Sequence, residues 1–148
     1  MRPLRLQLAG LRSYRREVTV DFRDRSLVAI VGDTGAGKSS LLEAITYALY
    51  GASTWPGPPS DLISDHVPSM RVELDFRAGG DDWTVTRSMS RTAYPPAVHR
   101  LENRTTGQRF DGRSEVTAQV SSLVGLDLKA FLGTVVLPQG RFAELLTA

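Results

Sequence analysis

The chain reads as an α/β protein built on a mixed β-sheet, and three stretches carry that reading. Leu27-Val28-Ala29-Ile30-Val31 is a short continuous apolar run rich in β-branched residues, the pattern of a parallel strand covered on both faces. After it, residues 39–50 place Leu41, Leu42, Ile45 and Leu49 at three- and four-residue spacing with Gly51 beyond, which predicts a helix with a glycine stop. Further on, Arg71-Val72-Glu73-Leu74-Asp75-Phe76, Trp83-Thr84-Val85-Thr86-Arg87 and Ala97-Val98-His99-Arg100-Leu101-Glu102 alternate in side-chain character, which predicts a three-stranded antiparallel meander.

Between the first strand and the helix lies Gly32-Asp33-Thr34-Gly35-Ala36-Gly37-Lys38-Ser39, which satisfies G-x-x-x-x-G-K-[ST] in the strand–turn–helix context that pattern requires. Glycines let the backbone turn its N–H groups inward and come close to anionic oxygens, and the start of the helix adds partial positive charge. Lys38 is placed to reach the β- and γ-phosphates of a nucleotide, and the Ser39 hydroxyl to ligate magnesium. A turn that only joined strand to helix would need neither side chain. The fold is therefore expected to be of the P-loop nucleotide-binding kind.

The remaining elements follow in order. Leu4-Arg5-Leu6-Gln7-Leu8 and Val18-Thr19-Val20-Asp21-Phe22 alternate strictly around polar Arg12-Ser13-Tyr14-Arg15-Arg16, an antiparallel pair ahead of the P-loop strand. Residues 52–69 hold Trp55-Pro56-Gly57-Pro58-Pro59-Ser60 and no sustained period, a long loop of the kind that tends to carry function. In the meander, Ala78-Gly79-Gly80-Asp81-Asp82 is the first turn. Helices are expected over 114–124, ended by Gly125, and over 127–132; Thr134-Val135-Val136-Leu137 is a second buried-strand candidate before Pro138-Gln139-Gly140. The helical stripe opened by Phe142, Leu145 and Leu146 is still running at Ala148, so the domain is expected to be incomplete. No apolar run after Lys38 ends in the paired acids that a hydrolytic P-loop enzyme uses to hold magnesium and poise water. Asp75 comes nearest, on a strand that alternates as though one face were wet.

With 148 residues, 41% hydrophobic and 23% charged, the composition is that of a globular domain with one ordinary core. No run approaches the roughly 18 apolar residues of a spanning helix, so no membrane association is expected and the cytosol is the default location. Cysteine is absent, which excludes disulfides and thiolate metal sites. Net charge is +2, and 16 of the 18 basic residues are arginine; seven of them fall in the first 25 residues against three acids, which leaves two readings open, a polyanion-facing surface or ordinary solvated arginines. His66 and His99 have no partners at ligand spacing, and Trp55 and Trp83 read as packing groups.

Two stretches together carry a family resemblance. Leu11-Arg12-Ser13-Tyr14 with Val20-Asp21-Phe22 and GDTGAGKSSLLEAITYALYG resembles the N-terminal lobe of SMC-like DNA-repair ATPases, and Val136-Leu137-Pro138-Gln139-Gly140-Arg141-Phe142-Ala143-Glu144-Leu145-Leu146 is similar to the Q-loop region of the SbcC family. The similarity runs over nearly the whole chain and includes Asp61-Leu62-Ile63-Ser64. It implies lobe I of a split ABC-type ATPase head across residues 1–148, with a coiled coil and a C-terminal lobe carrying the signature motif and catalytic acid elsewhere. It also implies ATP and magnesium as ligands and a second head that sandwiches the nucleotide. An SbcD-like nuclease partner, acting on double-stranded DNA ends and hairpins in the nucleoid, is implied as well.

By the same resemblance Gly32, Asp33, Thr34, Gly35, Ala36, Gly37, Lys38, Ser39 and Ser40 would hold the phosphates, and Ser39 and Gln139 the magnesium. Lys38 and Gln139 would serve catalysis, Gln139 by ordering the attacking water through its amide oxygen. Arg12 matches a family arginine beside the phosphates, where a guanidinium suits bidentate contact; read alone, it is a surface arginine on a turn. Gln139 read alone would be a capping residue after Pro138. Residues 61–64 are expected near the adenine side. A transporter ATPase subunit and an SMC-type chromosome-organising head are the competing readings; the meander and the terminal stripe argue against the first.

Overall fold

The computed structural model describes residues 1–23, 38–54 and 57–134, with 38, 39 and 132–134 as backbone alone. In chain order the elements are β1 (Arg2–Ala9), β2 (Val18–Asp21), α1 (Lys38–Tyr50), a 3-10 turn (Pro59–Leu62), β3 (Ser69–Ala78), β4 (Asp81–Ser90), β5 (Val98–Asn103), β6 (Arg109–Asp111), α2 (Arg113–Val124) and α3 (Leu128–Thr134). Among the described residues the strands form one six-stranded sheet in the order β2-β1-β3-β4-β5-β6, and each of these ladders is antiparallel. The predicted strand over 27–31, the loop over 32–37 and the stripe opened by Phe142 lie outside the described residues. Thr134, the first residue of the second strand candidate, closes α3, and the rest of that candidate is outside too.

The early pair and the later meander merge because β1 pairs with β3, Leu6 opposite Leu74 and Leu8 opposite Val72. That register puts Leu6, Leu8, Val72, Leu74, Phe76, Val85 and Leu101 on one buried face. Leu41, Ala44, Ile45, Ala48 and Leu49 of α1, with Val116 and Val120 of α2, complete the core. α1 lies on β3 and β4, α2 on β5 and β6, and the two helices touch. The other face carries a charged ladder: Arg5 meets Asp75 at 3.2 Å, and the Thr84 hydroxyl donates to the same carboxylate at 2.7 Å.

The turn between β3 and β4 is tighter than the sequence suggests. Ala78 pairs with Asp81, so Gly79 and Gly80 alone make the reversal, both with positive φ, as a two-residue turn matching the strand twist demands. β6 was not foreseen; three residues, Arg109–Asp111, are too few to show a period. The helices match their expected positions closely, with Gly125 in the left-handed conformation closing α2 and its N–H donating to the Ser121 carbonyl at 2.9 Å. α3 begins at Leu128 because the Asp127 carboxylate caps it, accepting from the Ala130 N–H at 2.8 Å. Among the described residues no helix is long and apolar enough to cross a membrane.

Candidate functional site at the start of α1

β1 is followed by a glycine at a position with no room for a side chain. Gly10 has φ +72°, and a Cβ there would stand 2.1 Å from the Ser69 carbonyl oxygen. The chain then reverses over Arg12 and Ser13, with Leu11 and Tyr14 exchanging both backbone hydrogen bonds at 3.1 and 2.8 Å. Arg12 itself takes φ +50°, a conformation that costs an L-residue roughly 1–2 kcal/mol. It is held there from outside. The Arg12 N–H donates to the Leu62 carbonyl at 2.7 Å, and the Ser64 hydroxyl donates to the Arg12 carbonyl at 2.7 Å.

The segment that grips Arg12 is anchored in turn. Ser64 N–H donates to the Gly10 carbonyl at 2.7 Å, and Leu62, Ile63 and Ser64 are buried. From β4's end, Arg91 donates to the carbonyls of Ser64 at 2.7 Å and Val67 at 2.8 Å. Residues 62–64, expected near an adenine, thus serve in the described structure as the clamp on the Arg12 turn.

That turn rests on the first turn of α1. The hydroxyls of Ser13 and Ser40 share a hydrogen bond of 2.9 Å, and the Ser13 N–H points to the same Ser40 oxygen at 3.5 Å. The first N–H groups of a helix have no partner within it and carry its positive pole, so this is where an anion would be received. Of the residues expected at the phosphates, Arg12 and Ser40 are therefore brought together, 28 positions apart in sequence. Lys38 and Ser39 open α1, with only their backbone described. Gly32, Asp33, Thr34, Gly35, Ala36, Gly37 and Gln139 lie outside the described residues.

Two groups, Glu43 and Arg87, escaped the sequence reading. Glu43, on α1, is 4% exposed and accepts from the Ser53 hydroxyl at 3.1 Å and the Thr54 N–H at 3.2 Å. Burial raises its pKa, while those two bonds and the nearby Arg12 charge oppose the rise. Its signal was a lone acid inside the apolar stripe of α1. Ser64 belongs to the resemblance, with residues 61–64 expected near the adenine side rather than at the Arg12 turn. Arg87 gave a signal too: it follows Trp83 and Val85 at two-residue spacing and so belongs to the inward face.

Arg87 is fully buried at the far end of α1. It donates to the carbonyls of Ala48 at 2.9 Å and Leu49 at 2.8 Å, and to the Thr117 hydroxyl at 3.2 Å. These are carbonyls that a helix leaves unpaired at its C-terminus, where a cation also meets the negative pole. Burial lowers the Arg87 pKa to about 10, a value at which it keeps its charge. The His99 Nδ1 lies 3.0 Å from Arg87, so the imidazole acts as acceptor. Burial first, then the charges of Arg87 and Arg113, lowers the His99 pKa to about 4.

Two other expectations receive a place. Trp83 is a packing group, with Nε1 donating to the Ala78 carbonyl at 3.2 Å; Trp55 is outside the described residues. Asp75 points to the wet face, away from α1, with Arg5 and Thr84 as partners.

Against known proteins, the chain is 40% identical over 152 residues to SbcC of the SbcCD nuclease from Deinococcus radiodurans, an alignment covering 99% of this chain and 17% of that protein. It is 34% identical over 150 residues to a probable DNA double-strand break repair Rad50 ATPase of Aquifex aeolicus, covering 99% and 15% respectively. The chain thus spans about a sixth of the length of these relatives. In structure it is similar to the recombination mediator protein RecF-ATP, with a TM-score of 0.57 at 15% identity over 78% of this chain and 29% of that one, which shows a shared fold. Over 99% of its length the chain is thus similar to SbcC and Rad50 proteins, and residues 5–148 match the family described as an AAA domain, so the chain belongs to that family.

Proposed function

We propose that residues 1–148 form the ATP-binding lobe of an SbcC-like head, completed by a C-terminal lobe and paired with a second head across the nucleotide. The observation that carries this reading is the 2.9 Å contact between Ser13 and Ser40, which sets the Arg12 turn against the first turn of α1. An arginine fork beside a helix N-terminus is an arrangement suited to phosphate oxygens.

In this reading the backbone of 32–39 and Lys38 bind the triphosphate, Arg12 contacts a phosphate from the β1 side, and Ser40 stands beside them at the helix start. Ser39 and Gln139 would hold magnesium, which supplies charge neutralisation when bound, and Gln139 would orient the attacking water. The acid that a hydrolytic site requires would come from the C-terminal lobe. Engagement of two heads around ATP would then govern an SbcD-like nuclease acting on double-stranded DNA ends in break repair. The names of the two relatives, one part of a nuclease and the other a break-repair ATPase, support that assignment.

Light scattering on the full-length protein with magnesium and ATP tests it. ATP is expected to double the mass of the head-containing species, and Lys38→Ala to abolish that change. Unchanged ATP-induced association in Lys38→Ala would overturn the reading.

A further inference from the structure

Arg12 is held in its left-handed conformation by a frame that reaches back to β4. At φ +50° a non-glycine residue crowds its Cβ against the following carbonyl, so the conformation persists only where partners impose it. Here the Ser64 hydroxyl donates to the Arg12 carbonyl at 2.7 Å and the Arg12 N–H donates to the Leu62 carbonyl at 2.7 Å, so both peptide groups flanking Arg12 are tied to one segment. Ser64 is 2% exposed, and its own N–H donates to the Gly10 carbonyl at 2.7 Å. Behind it stands Arg91, just beyond β4, whose guanidinium donates to the carbonyls of Ile63 at 3.3 Å, Ser64 at 2.7 Å and Val67 at 2.8 Å. A single hydrogen bond contributes about as much as a left-handed residue costs, so loss of the Ser64 hydroxyl tips the balance at Arg12.

Backbone dihedrals set the direction in which a side chain leaves the chain, and the next residue, Ser13, is bonded to Ser40 at the start of α1. We propose that Ser64 is the positioning residue for Arg12: braced by Arg91, it holds the Arg12 backbone in the conformation that brings this side chain to a nucleotide phosphate at the start of α1. The inference rests on the reading of Arg12 as a phosphate contact. It gives Ser64 and Arg91 a part in nucleotide binding without contact to the nucleotide, because a donor fixed before the phosphate arrives lowers the ordering cost of binding.

A double-mutant cycle in the full-length protein tests it, with calorimetric titration of magnesium and a non-hydrolysable ATP analogue into wild type, Ser64→Ala, Arg12→Ala and the double variant. Ser64→Ala and Arg12→Ala are each expected to weaken binding on the order of ten-fold, and the double variant no further than Arg12→Ala alone. A merely structural Ser64 would weaken binding equally with or without the Arg12 side chain, so additive losses overturn the proposal. Full affinity in Ser64→Ala beside a weakened Arg12→Ala also overturns the role of Ser64 and leaves the phosphate contact standing. Full affinity in Arg12→Ala overturns both. If Ser64→Ala does not fold, Arg91→Ala, at an exposed residue, takes its place in the cycle; additivity or full affinity there overturns the proposal equally.

Discussion

Arg87 Nε donates to the Ala48 carbonyl at 2.9 Å, so a cation from β4 closes the C-terminal end of the same helix whose N-terminal end faces the Arg12 turn. No acidic partner is needed, because the unpaired carbonyls and the negative pole of α1 supply the compensation. Arg87→Met should therefore destabilise the protein by about 3 kcal/mol, since it strands the Ala48 and Leu49 carbonyls in a buried site. The urea midpoint measures this; an unchanged midpoint would show that the helix end does not depend on the cap.

His99 should make stability depend on acid. Its pKa is lowered to about 4 in the folded protein, against an ordinary value of 6.5, so between those values the unfolded chain takes up the proton and the folded chain does not. The contribution is complete above pH 6.5 and is lost as pH falls through 4, up to about 3 kcal/mol in all. His99→Gln, which keeps an acceptor for Arg87, should flatten that part of the profile. Unfolding midpoints between pH 4 and 7 for the two proteins decide the matter, and parallel profiles would refute it.

Two glycines of the same φ sign should behave differently on replacement. At Gly79 an added Cβ meets nothing within 4 Å, so Gly79→Ala should cost only the left-handed backbone, about 1 kcal/mol. At Gly10 the Cβ would collide with the Ser69 carbonyl, which belongs to β3 and cannot move without breaking the sheet. Gly10→Ala should cost about 3 kcal/mol or more. Comparable Tm losses in the two variants would count against the close approach.

On the proposed role of Gln139 at magnesium and water, Gln139→Ala should lower ATP turnover far more than ATP affinity. Steady-state hydrolysis and equilibrium titration of the full-length protein separate the two effects. Equal losses would make Gln139 a structural residue.

Within the described residues, local pattern marked the elements that repeat along the chain. The three- and four-residue spacing from Leu41 to Leu49 with Gly51 behind it marks α1 nearly to the residue, and two-residue alternation marks β3 with its wet and dry faces. These signals survive because each is a repeat along one stretch of chain.

By itself, then, the amino-acid order determined strands β1 to β5, the three described helices, the phosphate-loop pattern and the family resemblance. The pairing of β1 with β3, the grip of Leu62 and Ser64 on Arg12, and the burial of Glu43 and Arg87 were decided only in three dimensions. Each joins residues at least several positions and in most cases dozens of positions apart, through backbone carbonyls and hydroxyls that any sequence possesses. Such partners are chosen by which surfaces the packed sheet and helices bring within hydrogen-bond reach, and that choice leaves no periodic trace in the chain.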